Sequence, residues 1–127
     1  KVTLFGEYAG YGPGEHTRDF IYVKDVVKVN FYFWEHPEIS GIFNCGTGHA
    51  HQFNTLAKGV LKHFGSGELE YVPFPEVLKG KYQSFTQADT ANLLAAGYDG
   101  GFTPIEDAIA EYCELLDKTG GYYVYER

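Results

Sequence analysis

Methionine is absent from the chain, including position 1, and tryptophan occurs once. Loss of an initiator methionine before lysine is unusual, so a chain opening on Lys1 is read as a fragment of something larger. Positive charge is scarce. Ten basic residues against 17 acidic ones leave a formal charge of −7, which argues against nucleic acid as a partner, because phosphates need Lys and Arg to neutralise them. Long apolar runs are also missing. None exceeds four residues, as in Phe31 to Trp34, so no segment is expected to cross a membrane as a helix. Lys1-Val2-Thr3-Leu4-Phe5 has no apolar stretch behind its charge and is no signal peptide. The two cysteines, Cys45 and Cys113, form no CxxC pair. They offer no disulfide scaffold, and a reduced, cytoplasmic setting is the expectation.

What the chain does have is apolar and aromatic. Hydrophobic residues make up 44% of the 127 positions and aromatics 17%, enough for a packed core and too many for a disordered tail. The length suits one domain, or a piece of one.

Leu4-Phe5 reads as the end of a strand. Gly6 to Thr17 follows, with Gly6, Gly10, Gly12, Gly14 and Pro13, too rich in turn formers for a helix or continuous strand. Arg18 to Val23 alternates like a half-buried strand, and Asp25 is expected to cap a helix carrying Val26, Val27, Val29, Phe33 and Trp34 that stops at Pro37. Gly41 to Gly46 reads as a short buried strand, with Cys45 facing the core, entering a Gly46-Thr47-Gly48 turn. Leu56, Ala57, Val60, Leu61 and Phe64 form the clearest helical stripe, closed by Gly65. Leu69 to Pro73 is a strand, and Phe74 to Gln87 a polar and aromatic loop. Asp89 caps a short helix ending at Gly97. Thr103-Pro104-Ile105-Glu106 has the form of a capping box, opening a helix that buries Ile105, Ala108, Ile109, Tyr112 and Leu116. The tail Gly120 to Arg127 is read either as mobile or as packed on a partner. Strands alternating with helices indicate an α/β fold, a small lobe of few short strands and three or four helices.

Cofactor and metal motifs are weak. Cys45, His49 and His51, with His63 beyond, lack the second ligand pair of a structural zinc site. Gly10-Tyr11-Gly12-Pro13-Gly14 is not G-x-G-x-x-G and precedes a strand rather than a helix, and no Walker A loop occurs. No Gly-x-Ser-x-Gly elbow occurs, and no tyrosine has a lysine four residues on, so no catalytic residue is assigned. Two residues invite a ligand. Arg18, opening a strand after a Gly-rich loop, either holds an anion or pairs with Asp19 or Glu15. Tyr82, between Lys81 and Gln83, either meets a ligand or packs like any aromatic.

Three segments carry a resemblance: Leu4-Phe5, Arg18-Asp19-Phe20-Ile21-Tyr22-Val23-Lys24-Asp25-Val26, and Gly41-Ile42-Phe43-Asn44-Cys45-Gly46-Thr47-Gly48. Together they resemble the C-terminal part of the extended short-chain dehydrogenases/reductases (SDR), the nucleotide-sugar epimerases and dehydratases. Tyr71-Val72-Pro73-Phe74-Pro75, Leu78 to Gln83, Phe85-Thr86-Gln87-Ala88-Asp89 and Ala95 to Asp99 are similar, within that family, to the ADP-L-glycero-D-manno-heptose 6-epimerases. The resemblance implies that residues 1–127 form a C-terminal substrate-binding lobe, lacking the Rossmann half that binds NADP. It implies an enzyme that inverts C6 of an ADP-heptose by oxidation and re-reduction for lipopolysaccharide synthesis, as a homo-oligomer; the alternatives are the C-terminal lobe of another nucleotide-sugar epimerase or dehydratase, or a non-catalytic binding module. It also implies substrate contacts at Phe5, Gly6, Glu7 and Tyr8, at Arg18 with the diphosphate, and at Tyr82. Its catalytic Ser, Tyr and Lys would lie upstream of Lys1, so the lobe alone is expected to be inactive.

Overall fold

The computed structural model describes residues 1–121, in four short strands and four α-helices. The tyrosines of the tail lie outside the described residues. Strand β1 (Val2–Phe5) pairs in parallel with β4 (Leu69–Val72), Val2 opposite Leu69 and Phe5 opposite Val72. Parallel pairing requires a crossover, and helices α1 (Val23–Glu35) and α2 (Phe53–Phe64) lie within it. A second, antiparallel pair joins β2 (Thr17–Arg18) to β3 (His51–Gln52). Thr17 also bridges to Phe85, its N–H donating to the Ser84 carbonyl at 3.0 Å.

Helix α2 packs on α4 (Ile105–Lys118), where Ile105, Ile109 and Cys113 are buried against Phe20, Leu56 and Val60. Gly59 permits the close approach, since a Cβ there would stand 2.9 Å from Ile109 Cδ1. Gly65 closes α2 in the left-handed conformation at φ 64°, which costs glycine nothing because it has no Cβ. A second core gathers Val29, Leu93 of α3 (Ala91–Ala95) and Tyr98, with Tyr32, Phe33, Phe43 and Phe102 around them.

Several expectations are corrected. The strand expected over Arg18 to Val23 ends at Arg18, because among the described residues no strand pairs with residues 19–22. Their place is set instead by the Asp19 carboxylate, which accepts from the backbone N–H groups of Thr47 (2.9 Å), Gly48 (2.9 Å) and Ala88 (3.1 Å) and from the Thr47 hydroxyl. Helix α1 begins at Val23, so Asp25 lies inside its first turn rather than capping it. Asp25 is fully buried and accepts from the Thr103 N–H (2.7 Å), the Thr103 hydroxyl (3.0 Å) and Lys28 (2.8 Å).

That engagement also undoes the capping box, because the Thr103 hydroxyl points to Asp25 and α4 starts without a side-chain cap. Gly41 to Gly46 is not a buried strand. Among the described residues no strand offers it a ladder, Ile42 is 93% exposed, and Cys45 is exposed rather than turned into a core. On α4 the buried position is Cys113, while Tyr112 faces outward at 44% exposure. Thr90 rather than Asp89 occupies the cap position of α3, although Asp89 still accepts from the Ala91 N–H at 3.0 Å. Among the described residues, no helix is long and apolar enough to cross a membrane.

Candidate functional site

The Gly-rich loop is tied down at its base. Gly14 donates its N–H to the Phe5 carbonyl (2.9 Å), and the carbonyls of Gly14 and His16 accept from the N–H groups of Asn54 (3.0 Å) and Phe53 (3.1 Å). The loop thereby satisfies backbone donors at the start of α2 that a helix leaves open. Gly14 is required at this junction, because it sits at φ 68° and a Cβ would stand 2.2 Å from Asn54 Oδ1. The Asn54 amide in turn donates to the Pro13 carbonyl (2.9 Å), and the Tyr71 hydroxyl donates to Asn54 Oδ1 (2.9 Å). Further out, Tyr8 and Tyr11 exchange backbone hydrogen bonds of 3.0 and 3.1 Å around a two-residue turn with Ala9 at φ 53° and Gly10 at φ 84°.

Beyond this base, the bridge from Thr17 to Phe85 carries Tyr82 alongside β2. The Arg18 guanidinium carbon lies 4.8 Å from the centre of the Tyr82 ring and 5.8 Å from that of Phe53. Its Nη1 donates to the Thr17 carbonyl at 2.7 Å. Among the described residues no carboxylate pairs with it, Asp19 being occupied as above and Glu15 accepting from the Gly12 N–H at 2.9 Å. A cavity of about 240 Å³ opens beside these rings, lined by Phe5, Gly14, His16, Phe53 and Tyr82 with Thr3 and Leu4. Phe74 backs it, with ring centres 5.3 Å from Phe5 and 5.2 Å from Tyr82. The arrangement offers aromatic rings to a flat group and, beside two of those rings, a cation to an anion.

Of the residues expected to meet a ligand, Phe5 and Tyr82 share the cavity and Arg18 stands over its rings. Tyr8 is one ring removed. It stacks on Phe74 at 4.1 Å and its hydroxyl accepts from the Gly80 N–H at 2.5 Å. Gly6 extends the β1–β4 ladder, donating to the Val72 carbonyl at 2.7 Å. Glu7 is exposed and lines two other pockets, whose linings include neither Arg18 nor Tyr82.

Residue-by-residue reading passed over His16, Phe53 and Phe74. The available signal for His16 was its position two before Arg18 on an extended segment, which puts both side chains on one face. His16 is 2% exposed. Burial pulls its imidazole below the ordinary range, the Tyr8 backbone carbonyl pulls the other way, and the Arg18 charge lowers it further. Of the other histidines noted in the sequence, His63 pairs with Asp117 at 3.2 Å.

This α/β arrangement is that of part of the SDR-fold epimerases. Residues 1–46 match the model of the NAD dependent epimerase/dehydratase family. Among solved structures, the chain is similar to the ADP-L-glycero-D-manno-heptose-6-epimerase of Helicobacter pylori, with 26% identity and a TM-score of 0.72 over 92% of this chain and 33% of that one. It is equally similar to the UDP-glucose 4-epimerase of Thermotoga maritima determined with UDP-glucose, with 28% identity and a TM-score of 0.72 over 94% and 35%. The UDP-glucose 4-epimerase of Bifidobacterium longum, solved with NAD+ and UDP, shares the fold at 22% identity and a TM-score of 0.73 over 94% and 35%. The chain spans about a third of the length of the solved structures it matches.

Proposed function

We propose that residues 1–127 are the substrate-binding lobe of a nicotinamide-dependent nucleotide-sugar epimerase. The observation that carries this is Arg18, a cation with no carboxylate partner among the described residues, standing over the rings of an aromatic cavity. In this reading Arg18 holds the diphosphate, Tyr82 and Phe5 flank the nucleotide, and Gly6, Glu7 and Tyr8 border the bound ligand.

The chain's own residues do not fit the dinucleotide. Its Gly-rich loop leads into β2 rather than a helix, and its carbonyls already occupy the donors at the start of α2. A pyrophosphate needs those donors open. NADP is therefore assigned to a Rossmann half outside these residues. An apolar strip along α1 supports such a half, with Val23, Val27, Phe31 and Trp34 exposed at 58%, 45%, 59% and 82%. Spaced at i, i+4, i+8 and i+11, they share one face, the kind a second lobe covers.

The particular reaction proposed is inversion at C6 of an ADP-glyceromanno-heptose in the cytoplasm, by a homo-oligomer, for lipopolysaccharide synthesis. The motifs from Tyr71 to Asp99 support it. A second reading, a 4-epimerase or dehydratase of a UDP-sugar, is favoured by the comparable likeness to the Thermotoga enzyme. Calorimetry of the full-length protein with ADP-, UDP- and dTDP-sugars separates the two. Tight binding confined to the ADP-sugar supports the heptose epimerase, and preference for the UDP-sugar replaces it. Failure of all three to bind overturns both.

A further inference from the structure

Among the described residues two buried side-chain atoms, His16 Nε2 and the neighbouring Thr17 Oγ1, have no hydrogen-bond partner. His16 Nε2 is sealed from solvent and makes no hydrogen bond, whereas nearly all buried polar side-chain atoms do. The neutral imidazole carries one N–H and one bare lone pair. In the tautomer that carries its proton on Nδ1, Nε2 is an acceptor. It sits among aromatic rings, with Tyr11 stacked at 5.4 Å, Phe74 tilted at 5.7 Å and Tyr82 edge-on at 5.2 Å. Of these, Tyr82 is also a wall of the cavity.

Two features define the donor that would complete it. Arg18 shares the neighbourhood, so a cationic donor is repelled and a neutral one is not. The cavity, at about 240 Å³, falls below the roughly 300–1,000 Å³ that encloses a drug-sized molecule, so it takes one ring system and leaves the rest of a ligand at the mouth.

We infer that His16 is a specificity-determining residue whose Nε2 accepts a hydrogen bond from the amine of a purine seated between Phe5, Phe53 and Tyr82, with the attached diphosphate at Arg18. The inference rests on the nucleotide reading above and adds to it the group that reads the base. His16 is itself among the residues that line the cavity. A base without the donor leaves the lone pair unmet and is rejected, because an unpaired buried acceptor is more costly than a lost contact.

The test uses the full-length protein, with ADP and purine riboside 5′-diphosphate, which lacks only the amine, as probes in calorimetry. The expectation is about a tenfold preference for ADP, the worth of one hydrogen bond to a buried partner. His16→Phe, which keeps a ring and removes the acceptor, erases that preference while leaving the dependence on Arg18 intact. As a readout independent of the variant's folding, the His16 Nε2 nitrogen resonance of the wild type shifts on ADP addition and stays in place with the analogue. Equal affinities in the wild type, a preference surviving in H16F, or an unmoved resonance would each overturn the inference while ADP binding through Arg18 stands. If neither probe binds the wild type, the nucleotide reading fails and this inference fails with it.

Discussion

Arg18 lies with its guanidinium carbon 4.8 Å from the centre of the Tyr82 ring. The two meet because the peptide groups of Thr17 bind Ser84 and Thr86, at 3.0 and 3.3 Å. Cation and cavity-lining ring are therefore brought together by backbone rather than by each other. Replacing Arg18 with Leu is expected to weaken nucleoside-diphosphate binding about tenfold to a hundredfold, the range of a charge-assisted hydrogen bond. Arg18→Lys should recover only part of it, since a point ammonium neither stacks on the ring nor forks onto two oxygens. Titration calorimetry checks both, and wild-type affinity in the Leu variant would remove Arg18 from the site.

Asp25 carries a second long-range tie. One buried carboxylate joins the first turn of α1 to Thr103, just before α4. Asp25→Ala leaves the Thr103 N–H and hydroxyl without this acceptor and should cost about 3 kcal/mol, measured by urea unfolding. A loss under about 0.5 kcal/mol would show that water replaces the carboxylate, the level of an ordinary surface change.

The same carboxylate sets an acid limit on stability. Burial pushes the Asp25 acid up, but the hydrogen bonds from Lys28 and Thr103 outweigh it and hold the group below the ordinary carboxylate range. Burial likewise raises Asp19, and the hydrogen bonds from Thr47, Ala88 and Gly48 more than reverse it. A folded-state value below the unfolded one gives stability that is complete above the unfolded carboxylate's range and lost as pH falls through the folded value. Melting temperature should therefore be insensitive to these two groups above about pH 5 and decline below about pH 4. Asp25→Asn should flatten that decline, and an unchanged acid limb would remove Asp25 as its source.

Gly46 permits the turn that grips Asp19. A Cβ there would stand 2.4 Å from the Ala88 Cβ and 2.8 Å from Asp19 Oδ2. Gly46→Ala should destabilise by about 2 kcal/mol through displaced packing, and it should move the Thr47 and Ala88 amide resonances together. An unperturbed amide spectrum would refute the clash.

Ala9 holds a left-handed φ of 53° at the first central position of the Tyr8–Tyr11 turn, ahead of Gly10 at 84°. Both central residues of this turn need positive φ, the geometry Asn-Gly satisfies. Ala9→Asn should therefore stabilise by about 0.5 kcal/mol, read as a raised melting temperature. A lower one would mean that Ala9 makes a contact worth more than its strain.

Local chemistry was sufficient wherever an element completes itself within a few residues. Helix α2 announced itself by an apolar stripe ending in Gly65, and β4 by a short strand-like segment stopped at Pro73, because such patterns and stops act over a few residues. Arg18 and Tyr82 were likewise singled out as residues. Their meeting was not, since it depends on pairing between segments far apart in the chain.

The failures share a cause. Arg18 to Val23 and Gly41 to Gly46 have strand-like composition, yet a strand exists only where a neighbour supplies the other half of its hydrogen bonds. Asp25 and Thr103 both looked like caps, because a capping side chain and a long-range partner carry the same oxygen. Which backbone donor that oxygen meets is settled only when distant segments pack. His16 shows this most plainly: as a letter it was one histidine of five, and only burial among the surrounding rings left its nitrogen without a partner.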